Sequence, residues 1–432
     1  MMKRRRSLRV IYSGICILIL LLMVYLPSLA LAGPPSPDCC TPEYNKGVMD
    51  SYRKLMFKTS TYTSVPEYGE GLRLGIYQAQ AAYGPGASAK NMDRLEKVAR
   101  IAKERGVQLL SFPELYVPGY TLSPKEARKV AEFADGSSIT RACSIASELK
   151  MAMLVPYAEK AKVDGEIRYY DSIAVINEKG KLVTSYKKTH LYGQQEREDW
   201  SFGSDPPPVF KVFDFPVGIL NCYENEFPEL SRMLALKGAK LIVGPTAADC
   251  YYTLPNGNRS AVPYPDVSTL VLPAFAYTNN VFYAYSNRAG YEKRDSNQWH
   301  YRGNSIIIGP HGDIIVQANH QQDTLLIADC IPGYYGMTHP AVNHSYLKDR
   351  RPRMYKPITA PEADFIKGGW KYPIYKNGQE ISIESQTPVL EAPMTPSPST
   401  PAPSPSGFEM AFGVAGLLVV LVFVYRQKRK RR

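Results

Sequence analysis

PVGILNCYENEFPELSRMLALKGAKLIVGPT, residues 216–246, carries the pattern that decides the fold class. Val217–Leu220 is an apolar, β-prone run that ends at Asn221-Cys222. NEFPELSRMLALKGAK then reads as a helix, and LIVGPT at 241–246 as another buried strand. A strand, a helix and a strand in this short span make a crossover unit, which places the chain among α/β proteins. Working outward, the same alternation recurs from about 70 to 345. LRLGIYQA at 72–79 reads as a strand, and NMDRLEKVARIAKERG at 91–106 as a helix with Leu95, Val98, Ala99 and Ala102 on one face and Gly106 at its end. VQLLSF at 107–112 is the next strand, residues 138–150 a helix, and AMLVPYA at 152–158 a strand. DSIAVIN at 171–177 and GKLVTSYKKT at 180–189 form a strand pair. PPPVFKVFDFPVGILNC supplies two strands, broken at Phe215-Pro216. AFAYTNNV is helix-like, FYAYSN a strand, and NSIIIGPHGDIIVQA a hairpin turning at Gly312-Asp313. Two packed sheets with helices outside would bury these strands, and so would an open three-layer sandwich. Residues 346–385, rich in Lys, Pro and Tyr, read as an irregular surface extension.

The net charge of +12 comes from the ends. Lys3, Arg4, Arg5, Arg6 and Arg9 supply five positive charges and Arg426, Lys428, Arg429, Lys430, Arg431 and Arg432 six, which leaves +1 for the chain between them. No basic groove for nucleic acid is indicated. Both clusters flank hydrophobic runs instead. Val10–Ala32 reads as a secretory signal with ALAG at 30–33 as a cleavage site, or as an uncleaved anchor. Residues 33–69 form an N-terminal extension. QTPVLEAPMTPSPSTPAPSPS at 386–406 suits an extended stalk, because repeated Pro with Ser and Thr cannot build a core. Residues 407–432 follow with an apolar run, Met410–Tyr425, and a basic tail. This arrangement resembles archaeal surface-sorting signals, with Gly407-Phe408 as the processing motif and Ser406 where Pro is usual; a plain membrane anchor is the rival. Either places the domain on the extracellular face of the cytoplasmic membrane. Asn258 and Asn343 begin glycosylation sequons. Seven cysteines do not make a disulfide framework in so long a chain, although Cys250 and Cys330 could pair in an exported protein.

Three separated stretches put reactive side chains at the ends of strand-like runs. Glu114 follows VQLLSFP and lies between Pro113 and Pro118. Lys188 follows GKLVTSYK. Cys222 follows PVGILN. Taken singly, each has a plain reading: a solvated glutamate, a surface lysine, a core cysteine. Together they form a device for attacking a carbon–nitrogen bond. Strand alternation sends Lys187 and Lys188 to opposite faces. Cys222 at a strand-to-helix turn lies near helix amides that favour thiolate, and the Tyr223 N–H can point into an oxyanion hole. Glu224 and Glu226 are as well explained as caps or ion-pair partners. Tyr116, Tyr120, Tyr192 and Trp200 could wall a small substrate or simply pack. The six histidines are scattered, with His190 an alternative partner for the thiol, and no spacing suggests a metal site.

FPELYVPGY at 112–120, YKKTHLYG at 186–193 and CYENEFPE at 222–229 together resemble the nitrilase, or carbon–nitrogen hydrolase, superfamily over roughly 72–335. The resemblance implies a four-layer α-β-β-α sandwich and a catalytic set of Glu114, Lys188 and Cys222. It also implies a second glutamate, Glu196 in QQEREDWSFG by its spacing to Gly203, with Glu198 the lesser register. Glu224 stands where the family often has Asp. The implied activity is cofactor-free, thiol-dependent hydrolysis of linear non-peptide amides. Small primary amides rank above N-carbamoyl amines, and nitriles come third; a homo-oligomer fits the same picture. A non-catalytic cell-surface binding module would explain both termini equally well, but not the ordered Glu, Lys and Cys.

Overall fold

A computed structural model describes residues 55–253, 259–294, 297–341, 343–359, 374–376 and 379–381. The hydrophobic segments and the stalk expected at 1–32 and 386–432, the sequon at Asn258, and Cys16, Cys39 and Cys40 lie outside the described residues. In chain order the elements are β1 (Met56–Ser60), β2 (Leu72–Gln78), α1 (Ala87–Glu104), β3 (Leu109–Ser111), α2 (Pro124–Val130), α3 (Ser137–Leu149), β4 (Ala152–Val163), β5 (Glu166–Ile176) and β6 (Leu182–Lys187). There follow α4 (Gly193–Asp199), β7 (Val209–Val212), β8 (Phe215–Ile219), a 3-10 turn (Cys222–Glu226), α5 (Pro228–Leu236), β9 (Leu241–Thr246), β10 (Tyr251–Thr253) and β11 (Arg259–Pro263). The chain continues through α6 (Val267–Leu270), α7 (Leu272–Asn279), β12 (Phe282–Asn287), β13 (Tyr291–Arg294), β14 (Asn297–His300), β15 (Ile306–Ile308), β16 (Ile314–Gln317) and β17 (Thr324–Cys330). A separate unit beyond residue 360 contains the antiparallel pair β18 (Ile374–Lys376) and β19 (Gln379–Ile381), within the stretch read as irregular.

Two sheets organise the domain. One runs β1-β17-β2-β3-β4-β5-β6, the other β16-β15-β12-β9-β8-β7. Strand alternation explains how they stack, because neighbouring residues of one strand point to opposite faces. Leu109 packs between the sheets with Leu74, Leu154, Val217, Leu241 and Val243. Leu110, the next residue, faces the other way, into the layer formed by Leu95, Val98, Ala142 and Ile145 of α1 and α3. On the second sheet Ile242 turns outward to Leu230 and Leu234 of α5 and Leu272 and Ala276 of α7. Strands apolar on both faces therefore have a partner layer on each side. The order is helices, sheet, sheet, helices: the four-layer sandwich, not the open three-layer alternative.

Three local readings change. The break in the 209–219 segment lies at Phe213-Asp214, both in left-handed backbone, and Phe215-Pro216 sits inside β8. The two strands expected there pair as an antiparallel hairpin, with only the turn displaced. Within the stretch read as an N-terminal extension, β1 pairs in parallel with β17 and forms the edge of the first sheet. Cys250 and Cys330 are buried free thiols, which removes the suggested bridge between them. Asn343 is exposed, as a sequon must be to accept a glycan. No helix among the described residues is long and apolar enough to cross a membrane.

Candidate active site

The ends of β3, β6 and β8 meet where the two sheets face each other. Beyond β3 the chain turns through Leu115, whose φ of 44° is left-handed. Arg288, buried just after β12, holds this bend: its Nε donates to the Glu114 carbonyl at 3.0 Å and its Nη2 to that of Leu115 at 2.6 Å. Glu292 neutralises Arg288 and accepts from the Tyr120 and Thr121 amides, both at 2.9 Å. One buried ion pair thus fixes the backbone from Glu114 to Thr121. Nothing in SNRAGYE announced this brace, although a cation directly after an apolar strand was its one visible trace.

Alternation separates the two lysines as expected. Lys187 is partly exposed and pairs with Glu159 at 3.2 Å, whereas Lys188 is fully buried. The Lys188 ammonium lies 2.5 Å from Glu114 Oε1 and 2.7 Å from Glu196 Oε2. Glu196, on α4, accepts also from the Tyr120 hydroxyl and the Tyr192 amide, each at 2.7 Å. Tyr120 is therefore an orienting group for this carboxylate rather than a bare aromatic wall. Gly203 N–H donates to the Lys188 carbonyl at 2.8 Å, and a Cβ at Gly203 would fall 2.2 Å from the Lys187 carbonyl oxygen. The Glu196-to-Gly203 spacing thus marks a backbone contact that only glycine permits.

Cys222 has a φ of 48°, a left-handed bend unusual for a residue with a Cβ. The polypeptide around it is tied down on both sides. Asn225 Nδ2 donates to the Cys222 carbonyl at 2.9 Å, and Tyr283 donates to Asn225 Oδ1. Gly244 leaves room for that amide, since a Cβ there would lie 2.3 Å from Asn225 Oδ1. Glu224 accepts from the Asn221 amide, the Tyr186 hydroxyl and the Thr189 amide and hydroxyl. It is a cross-brace between the cysteine turn and the lysine loop. The cysteine begins a short 3-10 turn, and α5 starts only at Pro228, so Cys222 does not itself open an α-helix. Burial instead pushes the Cys222 thiol well up, with Glu114 adding to the effect; Lys188 and the Ala247 amide act in the opposite direction. That direction favours a neutral thiol at position 222 over a preformed thiolate. His190 packs its ring on Phe227 and bonds Thr189 Oγ1 through Nδ1.

A third carboxyl was not anticipated. Asp171 on β5 is fully buried, with Oδ2 at 3.6 Å from the Lys188 ammonium and Oδ1 accepting from Asn221 Nδ2 at 3.0 Å. A lone charge in the apolar run DSIAVIN was its sequence signal. Oxygens of Glu114, Asp171 and Glu196 lie within 4.8 Å of one another, a spacing a metal could use. The Lys188 ammonium already stands among them as their cation. Burial disfavours that ammonium, but the acidic groups around it together, Glu114 and Glu196 foremost, hold its pKa well above the ordinary lysine value. Burial raises Glu196, against the pull of Lys188. At the rim, Tyr192 packs between Tyr223 (5.3 Å between ring centroids) and Tyr264 (6.2 Å), whereas Tyr116 and Trp200 are buried in the core.

This geometry can be set beside known proteins. The carbon–nitrogen hydrolase family model matches residues 73–339. A hydrolase encoded in the pqqF 5′ region of Pseudomonas protegens is 34% identical over 288 residues, spanning 67% of this chain and 92% of that protein. N-carbamoylputrescine amidase from rice, Oryza sativa subsp. japonica, is 26% identical, over 67% of this chain and 95% of that one. Among solved structures, a glutamine-for-glutamate variant of the amidase from Nesterenkonia sp. AN1 superposes with a TM-score of 0.52 at 25% identity. It covers 68% of this chain and 99% of the amidase, and shows an acetamide moiety added covalently to the active-site cysteine. A sequence match over most of the domain and the shared sandwich lead to one conclusion: the chain belongs to the carbon–nitrogen hydrolase family, enzymes that cleave non-peptide carbon–nitrogen bonds.

Proposed function

We propose that the chain hydrolyses small linear amides through a Cys222 acyl-enzyme, with Glu114 as the base, Lys188 as the oxyanion and charge support, and Glu196 orienting Lys188. The observation that carries this reading is the single buried ammonium shared by Glu114 and Glu196, with the Cys222 thiol inside the field of all three. Glu114 takes the thiol proton as sulfur adds to the amide carbon. The ammonium and the Tyr223 amide offset the charge that develops on oxygen. Glu114 returns the proton to the departing ammonia or amine, leaving a thioester. The same carboxylate then draws a proton from water, which releases the acid and frees the thiol. Two carboxylates opposite one ammonium leave an anion to act as base; a thiolate formed in advance would add a third negative charge.

Small primary amides rank first, with the rings of Tyr192, Tyr223 and Tyr264 packed together next to the cysteine turn in support. N-carbamoyl amines rank second. What favours them is Glu226, half-buried four residues past the cysteine and bonded at 2.8 Å to the Tyr264 hydroxyl, a carboxyl that could meet an amine tail. Nitriles come third. Intact-protein mass measurement with a mixture of amides, N-carbamoyl amines and nitriles tests the reading. The expected result is an acyl adduct on Cys222 whose mass identifies the acyl group, formed fastest from a small primary amide. No adduct with any of the three classes, while the protein is folded, would remove the proposal.

The termini carry a second part of the proposal: residues 70–345 form the catalytic domain, displayed outside the cytoplasmic membrane on the 386–406 stalk. The support is in the sequence, where basic clusters adjoin apolar runs at both ends. Processing at Gly407-Phe408 would replace the last run by a lipid without changing the side. An epitope placed near residue 385 should be cleaved by an impermeant protease on intact cells. Cleavage only after membrane disruption would reverse the assignment, and an anchored form lacking the basic tail would favour processing over a retained span.

A further inference from the structure

The buried cluster holds one carboxyl more than the proposed chemistry uses. Glu114, Glu196 and Asp171 surround a single ammonium, and the Cys222 thiol completes the group. Three carboxylates against one cation, all excluded from water, would leave two uncompensated charges. A buried site avoids that cost by keeping a proton. The hydrogen-bond pattern shows where the proton belongs. Both Glu196 oxygens are occupied, by Tyr120 and Lys188 on one and by Tyr192 and Lys188 on the other. Glu114 Oε1 is taken by Lys188, and Asp171 Oδ1 by Asn221. Glu114 Oε2 and Asp171 Oδ2, by contrast, are buried and receive no donor from any other described group. An oxygen of each carboxyl lies within 4.8 Å of an oxygen of the other. One proton between them satisfies both oxygens. Lys188 decides its position, lying 2.5 Å from Glu114 but 3.6 Å from Asp171, so Glu114 is the better place for the negative charge.

We propose that Asp171 is a positioning residue that stays protonated and donates its O–H to Glu114 Oε2, fixing the base as an oriented anion between that hydroxyl and the Lys188 ammonium. Asp171 makes no bond to substrate, and its proton is not consumed. What it supplies is orientation: with both oxygens of Glu114 anchored, the carboxylate cannot rotate away from the thiol. The direction of its titration agrees, since burial and then the charge on Glu114 push the Asp171 carboxyl well above the usual range, Lys188 opposing them. The groups that face it are Glu114 after β3, Lys188 after β6, Glu196 on α4, and Asn221 after β8.

The inference rests on Glu114 being the base, so one arm of the test does not depend on turnover. Infrared difference spectra of the full chain, wild type minus Asp171→Asn at pH 8, should contain the carbonyl stretch of one protonated carboxyl. Its absence would overturn the proposal whatever the enzyme does. The second arm compares Asp171→Asn with Asp171→Ala on the best substrate found. Asn keeps a donor toward Glu114 and an acceptor for Asn221, and should lose only about threefold in kcat. Ala should lose roughly 10–100-fold with KM little changed, because the base is freed to rotate while substrate contacts survive. Asn as impaired as Ala, or Ala as active as Asn, would overturn the role. Should Ala fail to fold, the near-isosteric Asn variant still decides through the spectrum. If wild type acylates with no substrate, the amidase reading fails and the spectrum alone judges Asp171.

Discussion

Cys222→Ala should reduce amide turnover by about 10⁴-fold or more and abolish the acyl adduct, while the unfolding midpoint stays close to that of wild type. The size of the loss follows from the role: in the proposed mechanism the thiol is the bond-forming atom, and residues that act as a unit lose most of the rate enhancement when one is removed. The small structural cost follows from the environment. The sulfur is small and only slightly exposed, and Ala at the same left-handed φ bears no more backbone strain than Cys does. Losing one buried thiol should cost ~1 kcal/mol. Asn225 and Glu224 bond to the backbone of this turn rather than to the sulfur, so its shape should survive. Turnover, intact mass and a thermal melt on the same preparation check the prediction. Adduct formation at another residue, or activity within tenfold of wild type, would remove Cys222 as nucleophile.

Lys188→Met should damage both fold and activity. Met fills much of the same volume, so packing changes little; what disappears is the cation. Glu114 and Glu196 would then stand buried with no counter-charge, and breaking a buried pair by removing one partner costs about 3–5 kcal/mol. The loss should depend on pH with a definite sign. Without the ammonium, burial raises the carboxyls left behind. A carboxyl whose folded pKa exceeds its unfolded value contributes stability that is present at low pH and lost as pH rises through the folded pKa. The deficit against wild type should therefore be smallest near pH 4, where the unfolded carboxyls also hold protons, and grow toward pH 8. Thermal melts across that range provide the check. A deficit that shrinks with rising pH would mean that Lys188 does not balance these carboxylates. Turnover should fall by roughly 10²–10³-fold or more even where the variant is folded, as expected for removal of a charge aimed at a developing oxyanion.

The local signals were strongest where one strand or helix determines the outcome. Leu95, Val98, Ala99 and Ala102 marked the buried face of α1, and the apolar run LIVGPT marked β9, because periodicity is a property of the element itself. Glu114, Lys188 and Cys222 were visible for a similar reason: each is a reactive side chain at the abrupt end of an apolar run. The turn at Phe213-Asp214 was not evident because Phe seldom takes left-handed backbone, although Asp does so more readily, and closure of the β7–β8 hairpin imposes that conformation on both. The surroundings of the thiol depend on more than the local turn. A strand-to-helix turn suggests amides that favour thiolate, whereas the folded site sets burial and a nearby carboxylate against it.

By itself, then, the sequence determined that this is an α/β hydrolase domain of the carbon–nitrogen type, and which side chains sit at the ends of its strands. Those features are encoded within single elements and short motifs. Only the tertiary structure decided that apolar strands covered on both faces form two stacked sheets, that Arg288 and Glu292 brace the Glu114 loop, and that Asp171 joins the buried cluster. Asp171 lies on β5 and Glu114 beyond the end of β3, far apart in the chain. Their meeting, and the proton they must share, arise from sheet pairing and from the exclusion of water at the sheet edge, neither of which any local pattern of residues records.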